Sequence, residues 1–105
     1  MDLEAKFEEI KSELAANPVM LYMKGNKDFP MCGFSAQVVS ILNAVDATYE
    51  TRDILQDEGL RQAIKVHANW PTIPQLYING NFVGGCDIVT ELYQEGDLAE
   101  MLPTG

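Results

Sequence analysis

The strongest restriction on the fold of this chain is the apolar run VMLYM at residues 19–23. A run of strand length without a polar residue is typical of a β-strand that is buried on both faces. Asn17 and Pro18 precede it, and Lys24 and Gly25 follow it, so loop-forming residues lie at both of its ends. We therefore expect an α/β fold in which helices cover both faces of a sheet.

Four other stretches repeat apolar residues at three- and four-residue steps, a spacing that predicts amphipathic helices. The first ends near Asn17, the third has Asp57 as a candidate N-cap, and the fourth opens at Cys86 and Asp87 and ends at Gly96. A last short turn is predicted over residues 98–102. The residues that carry the helical pattern are Leu3, Phe7, Ile10 and Leu14; Phe34, Val38, Ile41, Leu42 and Val45; Leu60, Ile64 and His67; and Val89, Leu92 and Tyr93.

Three further segments read as strands. Residues 48–52 alternate between polar and less polar side chains, and residues 75–78 and 82–83 flank Asn79-Gly80-Asn81, which is a hairpin signal. Residues 70–74 contain two prolines and cannot be helical. The order α-β-α-β-α-β-β-α predicts a single domain, residues 1–105, with a four-stranded mixed sheet and helices on both faces.

Composition restricts the partners and the compartment. Sixteen acidic and seven basic residues give a net charge of −9, which argues against nucleic acid or an anionic membrane as a main partner. Two cysteines are too few for a secreted disulfide scaffold. The acidic N-terminus lacks the features of a signal or transit peptide. We expect a cytoplasmic, reducing compartment, although a mature organellar protein would have the same composition.

Cys32 lies in residues 30–35 (PMCGFS), after a loop and immediately before the second predicted helix. A helix N-terminus favours negative charge, so this position favours the thiolate, which is the reactive form of cysteine. A dithiol redox motif would have a second cysteine at position 35, where this chain has Ser35. Chemistry at Cys32 therefore needs a thiol from outside this motif or a metal.

Three loops are expected at one edge of the predicted sheet. They are the Cys32 loop, residues 72–74 before the hairpin, and residues 84–87 before the last long helix. Loops that follow strands and helix N-termini gather at this edge in sheets of this order, and ligands tend to bind there.

With these pieces in order, the sequence resembles the monothiol glutaredoxins of the CGFS type, a branch of the thioredoxin-like fold. The resemblance is carried by Lys24-Gly25, by residues 30–35, by residues 70–77 (WPTIPQLY) and by residues 84–88 (GGCDI). Each piece alone is weak, but the ordered set is specific and resembles the short, single-domain members. One departure is Asn26-Lys27, where many members carry Thr-Pro, and it concerns the stiffness of the loop before Cys32.

The resemblance implies a glutathione site. Cys32 would face the glutathione sulfur, and Lys24 and Arg61 would hold the glycine carboxylate. The Ile73 backbone would pair with the tripeptide, with Pro74 in the cis form. The backbone N–H groups of Cys86 and Asp87 would bind the γ-glutamyl carboxylate, while the Asp87 side chain would pair with the ammonium group.

Plainer interpretations exist for most of these residues. Lys24 and Arg61 are cations of types that usually lie solvated at a surface. The Cys86 role implied by the resemblance needs only its backbone, so its thiol has no assigned purpose. His67 has no partner at metal-binding spacing and is expected to be structural or exposed. Trp70 is expected to be a core or shelf residue.

The resemblance leaves two functions in competition. One is a binding protein that holds a [2Fe–2S] cluster, passes it to acceptor proteins and has BolA-type partners. The other is a glutathione-dependent oxidoreductase that removes glutathione from protein thiols by a monothiol route. We favour the first, because members with this motif are poor glutathione reductants and good cluster carriers.

Two sets of sulfur ligands could hold such a cluster. A [2Fe–2S] cluster usually has four sulfur ligands, and this chain has two cysteines. A homodimer would therefore use Cys32 and Cys86 from each chain, or Cys32 from each chain with the thiols of two glutathiones. We favour the second, with Cys32 as the metal ligand and a monomeric form without the cluster.

Overall fold

The structure is a computed structural model and describes residues 3–103. Helices and strands alternate along most of this range, as the sequence pattern predicts. The elements are α1 (Leu3–Ala16), β1 (Val19–Met23), α2 (Gly33–Ala44), β2 (Glu50–Asp53), a 3-10 helix (Ile54–Gln56), α3 (Glu58–Ala68), β3 (Gln75–Ile78), β4 (Asn81–Gly84), α4 (Cys86–Glu95) and α5 (Asp97–Met101).

The strands form one four-stranded sheet in the order β2-β1-β3-β4. β1 runs parallel to β2, with Met20 opposite Glu50, and antiparallel to β3, with Leu21 opposite Leu76. β3 and β4 are antiparallel. The predicted four-stranded mixed sheet is confirmed, with β1 in its interior.

β1 divides the core between two helical layers. Met20 and Tyr22 pack in the cluster with α1 and α3, whereas Val19, Leu21 and Met23 pack in the cluster with α2 and α4. All five are at most 2% exposed. Alternate residues of a strand point to opposite faces, so an unbroken apolar run supplies both layers at once.

The predicted helix cap, hairpin turn and helix end are confirmed. The Asp57 carboxylate caps α3 by accepting the N–H of Leu60 at 3.0 Å. Asn79 and Gly80 have φ of 52° and 80° and form the two-residue turn of the β3–β4 hairpin. Gly96, with φ of 83°, ends α4. No helix in residues 3–103 is long and apolar enough to cross a membrane.

Two details differ from the sequence prediction. The strand predicted over residues 48–52 is observed at Glu50–Asp53, because its pairing with β1 begins opposite Met20, and a 3-10 helix that was not predicted follows it. Phe34 carries the helical pattern of α2 but is 63% exposed. The buried position in that first turn belongs to Ser35, whose oxygen accepts the N–H of Lys24.

Candidate functional site

A cleft of about 460 Å³ opens at the predicted edge of the sheet. Cys32 lies at the start of α2, Arg61 and Lys65 lie on α3, and Cys86 lies at the start of α4. All six residues named for the site from the sequence line this one cleft. The full lining is Lys24, Cys32, Phe34, Arg61, Lys65, Trp70, Pro71, Thr72, Ile73, Pro74, Gly85, Cys86, Asp87 and Ile88. His67 is exposed and is not part of this lining.

Cys32 is the N-cap residue of α2 and has an extended backbone, with φ of −157° and ψ of 139°. Its thiol is partly exposed. The pKa of Cys32 is lowered, chiefly by the backbone N–H of Ser35, with further help from the N–H of Phe34 and the charge of Lys24, whereas burial opposes the shift. The thiolate expected at this helix N-terminus is therefore favoured by the geometry.

Ser35 has a larger part in the site than the sequence indicated. Its side chain is fully buried, and its Oγ accepts the backbone N–H of Lys24 at 3.2 Å. The Ser35 side chain is also among the groups that lower the pKa of the Cys32 thiol, after the backbone N–H of the same residue. Ser35 thus supports both the end of β1 and the thiolate form of Cys32. The sequence motif identifies Ser35 only as the residue that replaces a second cysteine.

The loop between β1 and Cys32 is closed by backbone hydrogen bonds. The N–H of Met31 donates to the carbonyl of Lys24 at 2.9 Å, and the N–H of Gly25 donates to the carboxylate of Asp53 at 3.0 Å. Gly25 has φ of 85°, and a Cβ at this position would lie 2.3 Å from the carbonyl oxygen of Phe29. Only glycine fits at this position, where the two ends of the loop lie against each other.

Lys24, Arg61 and Lys65 bring three positive charges to the cleft of an acidic protein. Within residues 3–103 none of these three forms an ion pair, whereas the other four cations of the sequence all do. Lys65 was missed from the sequence. The available signal was its spacing, because it follows Arg61 by four residues and therefore lies on the same face of α3.

The start of α4 forms a second wall of the cleft, and α4 packs on the face of the sheet opposite to α3. Gly85 precedes the helix, and a Cβ there would lie 3.2 Å from the carbonyl oxygen of Pro74, so the small residue lets the two segments approach. The Cys86 sulfur lies 4.0 Å from the hydroxyl of Thr90, and Cys32 and Cys86 are both free thiols. Asp87 lies in the first turn of α4. This wall offers backbone N–H groups and one carboxylate to a ligand.

Residues 70–74 form the rim between α3 and β3. The Ile73–Pro74 peptide bond is cis, as the resemblance implies, and the Ile73 residue is 8% exposed. The buried amide of Gln75 holds the rim from inside by donating to the carbonyls of Trp70 and Thr72, and it accepts the hydroxyl of Tyr77 at 2.9 Å. No pattern in the sequence predicts this role for Gln75.

Together these groups suit a thiol-bearing ligand with more than one carboxylate. The cleft is lined by a thiolate-prone cysteine, by three cations, and by a helix N-terminus with a carboxylate. Residues 70–74 of the rim add backbone groups to the same lining. An acidic surface around a positive cleft concentrates the field in the cleft, which favours anionic ligands there.

Comparisons with known proteins agree with this arrangement. The glutaredoxin family profile matches residues 19–83. A Synechocystis protein named a ycf64-like monothiol glutaredoxin is 58% identical over 89 residues, 85% of this chain and 83% of that protein. Glutaredoxin 4 of Escherichia coli is 46% identical over 100 residues, 95% of this chain and 87% of its own.

Solved structures show the same fold. Reduced poplar apo GrxS14 matches with a TM-score of 0.77 and 48% identity, over 93% of this chain and 87% of its own. A buckwheat glutaredoxin–glutathione complex matches with a TM-score of 0.85 and 25% identity, over 95% of this chain and 89% of its own. The fold is thioredoxin-like, and the chain belongs to the monothiol glutaredoxin family.

Proposed function

We propose that this protein binds glutathione in the cleft and, as a homodimer, carries a [2Fe–2S] cluster that it transfers to acceptor proteins. The observation that carries the proposal is the convergence of Lys24, Arg61 and Lys65, unpaired within the described residues, on the cleft that holds Cys32. The cleft volume of about 460 Å³ is within the usual range for small-ligand sites.

Each part of glutathione has a suitable partner in this proposal. Lys24 and Arg61 take the glycine carboxylate, with Lys65 adding charge beside them. The backbone of Ile73 pairs with the extended tripeptide in the manner of an added strand. The N–H groups of Cys86 and Asp87 take the γ-glutamyl carboxylate, and the Asp87 carboxylate takes the ammonium. The similar buckwheat glutaredoxin structure is a complex with glutathione, which supports the choice of ligand.

The cluster is the cargo, and its ligand count favours a shared site. Residues 3–103 contain no group of three or more His, Cys, Asp or Glu side chains that could hold a metal ion. One chain with two cysteines therefore lacks the four sulfur ligands that such a cluster usually has. We assign two ligands to the Cys32 thiolates of two chains and two to their bound glutathiones. Exchangeable glutathione ligands suit a cluster that must be handed on.

Anaerobic reconstitution with and without glutathione tests this proposal. We expect the absorption of a [2Fe–2S] cluster and a dimer on size exclusion only when glutathione is present. Cys32→Ser abolishes both, and the matched Cys86→Ser variant largely keeps them. Dialysis against glutathione-free buffer removes the cluster and returns the monomer.

Two outcomes contradict the assignment in different ways. A stable cluster that forms without glutathione and is lost in Cys86→Ser makes all four ligands protein thiolates. Failure to form a cluster under any of these conditions, while glutathione still binds, removes the carrier function and leaves the binding site.

Glutathione-dependent oxidoreductase activity is the second candidate, supported by the lowered pKa of Cys32. The Cys32 thiolate attacks the glutathione sulfur of a mixed disulfide, the protein thiol leaves, and a second glutathione thiolate releases glutathione disulfide. Because Ser35 cannot resolve the intermediate, we expect slow turnover. A coupled assay with a turnover equal to that of a dithiol glutaredoxin favours the enzyme instead.

The wider assignments rest on the family alone. We propose BolA-type proteins and iron–sulfur acceptors as partners, in cluster assembly or iron homeostasis, because the family resemblance implies them. For the compartment we propose a reducing one, the cytoplasm or an organelle. A rice relative that is 53% identical over 89 residues is named chloroplastic, which keeps the organellar alternative open.

A further inference from the structure

Asn26 and Lys27 lie at the tip of the loop that carries the cleft residues Lys24 and Cys32. The side-chain oxygen of Asn26 accepts the N–H groups of Asp28 and Phe29, both at 2.9 Å, so the tip is a compact turn. The turn shapes the tip but does not attach it to the rest of the molecule.

Lys27 provides that attachment through one side chain. Its ammonium donates to the carbonyl of Tyr49 at 3.0 Å and lies 5.2 Å from the centre of the Tyr49 ring. The Glu50 carboxylate is a further 3.6 Å contact. A hydrogen bond, a cation–π contact and an ion pair therefore join the loop tip to the start of the edge strand β2.

Tyr49 is buried in the core and is itself hydrogen-bonded. The residue is 6% exposed and belongs to the core cluster shared with α2 and α4. Its hydroxyl donates to the side-chain oxygen of Asn43, near the C-terminal end of α2, at 2.9 Å. Cys32 caps the opposite end of the same helix. Lys27 thus holds the loop tip to a residue that is itself bonded to the helix that follows the loop.

We propose that Lys27 is a positioning residue for the cleft: by pinning the loop tip to Tyr49, it keeps Lys24 and Cys32 in the arrangement that the ligand requires. The part that concerns the ligand rests on the proposed glutathione site. The competing explanation is that Lys27 only shields the edge of β2, a common use of lysine at sheet edges. In that case the ligand site is indifferent to its removal.

The test compares Lys27→Gln, Lys27→Arg and the control Lys11→Gln in the cluster-free full chain. Lys11 is an exposed cation 3.6 Å from Glu8 and is not part of the cleft lining, and its replacement changes the net charge by the same amount. The probe is S-methylglutathione, which needs neither a metal nor a reactive thiol, and its affinity is measured by calorimetry. Amide hydrogen exchange is followed at Gly25 and Met31 in the loop and at Leu21 in β1.

We expect Lys27→Gln to bind S-methylglutathione about threefold more weakly, as suits the loss of a partly exposed charge contact. Exchange at Gly25 and Met31 becomes several-fold faster, while exchange at Leu21 is unchanged. Lys27→Arg should keep most of the affinity for the probe and most of the slow exchange at Gly25 and Met31. The reason is that a guanidinium group also donates to a carbonyl and stacks on tyrosine. Lys11→Gln behaves as the unmodified chain.

Unchanged affinity in Lys27→Gln overturns the positioning role, and so does an arginine variant no better than glutamine. Equal acceleration of exchange at Leu21 also overturns it, since that pattern is general destabilisation. If the unmodified chain does not bind the probe, the glutathione proposal fails, and the exchange rates at Gly25 and Met31 alone decide whether Lys27 holds the loop.

Discussion

Two groups of cations in this protein differ in their partners. Where α1 and β2 meet the N-cap of α3, the cations Lys6 and Arg52 are paired with carboxylates, whereas the cations that line the cleft form no ion pair within residues 3–103. Lys6 lies 3.1 Å from Glu9 and 2.6 Å from Asp57. Arg52 contacts Glu9 at 2.8 Å, Asp57 at 3.6 Å, and Glu13. We call these five side chains the ion network. Lys24, Arg61 and Lys65 in the cleft have no such partners among residues 3–103.

The ion network joins elements that are far apart in sequence. Lys6, Glu9 and Glu13 come from α1, Arg52 from β2, and Asp57 from the N-cap of α3. The hydroxyl of Tyr22 in β1 donates to Glu13 at 2.7 Å. Burial, with this hydrogen bond, raises the pKa of Tyr22 far above its ordinary value. The network therefore fixes α1 and α3 against the sheet.

This difference in pairing assigns the cations of the ion network to stability and the cations of the cleft to ligand binding. Paired cations contribute to folding and leave little charge for a ligand. Cations without partners contribute little to folding, but they attract an anion and need no existing contact to be broken first. Substitutions in the ion network should therefore lower the free energy of unfolding, and substitutions in the cleft should lower affinity.

Arg52→Met should have the largest effect, a loss of about 2 kcal/mol in the free energy of unfolding. Glu13 and Arg52 are 18% and 27% exposed, so the carboxylates lose their partner in a partly desolvated place. Urea denaturation measures the loss, and Lys11→Met is the exposed control. Affinity for S-methylglutathione should be unchanged. A loss no larger than that of the control would remove the ion network from the account of stability.

Arg61→Ala should show the reverse behaviour. We expect affinity for S-methylglutathione to fall about tenfold, because a charge-assisted hydrogen bond to the ligand is lost. The free energy of unfolding should change by no more than about 0.5 kcal/mol. Calorimetry and urea denaturation on the same samples check both values. A stability loss comparable to that of Arg52→Met would show that Arg61 belongs with the structural cations.

Lys65→Gln should weaken binding by a smaller factor, about threefold at low salt, because we assign it charge rather than a specific hydrogen bond. Salt screens such attraction, so the difference from the unmodified chain should disappear at about 0.5 M salt. Titrations at two salt concentrations test this. A loss that persists at high salt would mean that Lys65 contacts the ligand directly.

The smallest effect should be the pH dependence of the ion network. A hydrogen bond from Arg52 lowers the pKa of Glu9 below its ordinary value of 4.5. A hydrogen bond from Lys6 lowers the pKa of Asp57 below its ordinary value of 3.8. The folded state thus binds these protons more weakly than the unfolded chain. Their contribution is present above the unfolded pKa and is lost as the pH falls through the folded pKa.

The comparison of Arg52→Met with the unmodified chain isolates this contribution. The difference in their free energies of unfolding should be greatest near neutral pH and should shrink as the pH falls below about 4. Urea denaturation at a series of pH values measures it. A difference that stays constant over the whole range would mean that Arg52 stabilises the fold through packing and not through its charge.

The local features of this protein were readable from its sequence. The apolar run at residues 19–23 specified a strand buried on both faces, because alternate side chains of one strand serve two layers. Asp57 and Asn79-Gly80 marked a helix start and a hairpin turn through bonds and dihedral angles that involve only a few neighbouring residues. The cleft residues named in advance came from the family resemblance, and the structure brings them together.

Tertiary structure decided which charges are free. Lys6 and Lys65 look alike in the sequence, but Lys6 meets Asp57, 51 residues away, whereas Lys65 lines the cleft. Likewise Lys27 reaches Tyr49 across 22 residues, and Ser35 reaches the N–H of Lys24 from the next helix. Helical periodicity and turn propensity reflect neighbours within a few residues, and so they cannot specify a partner that only the folded chain brings within hydrogen-bonding distance.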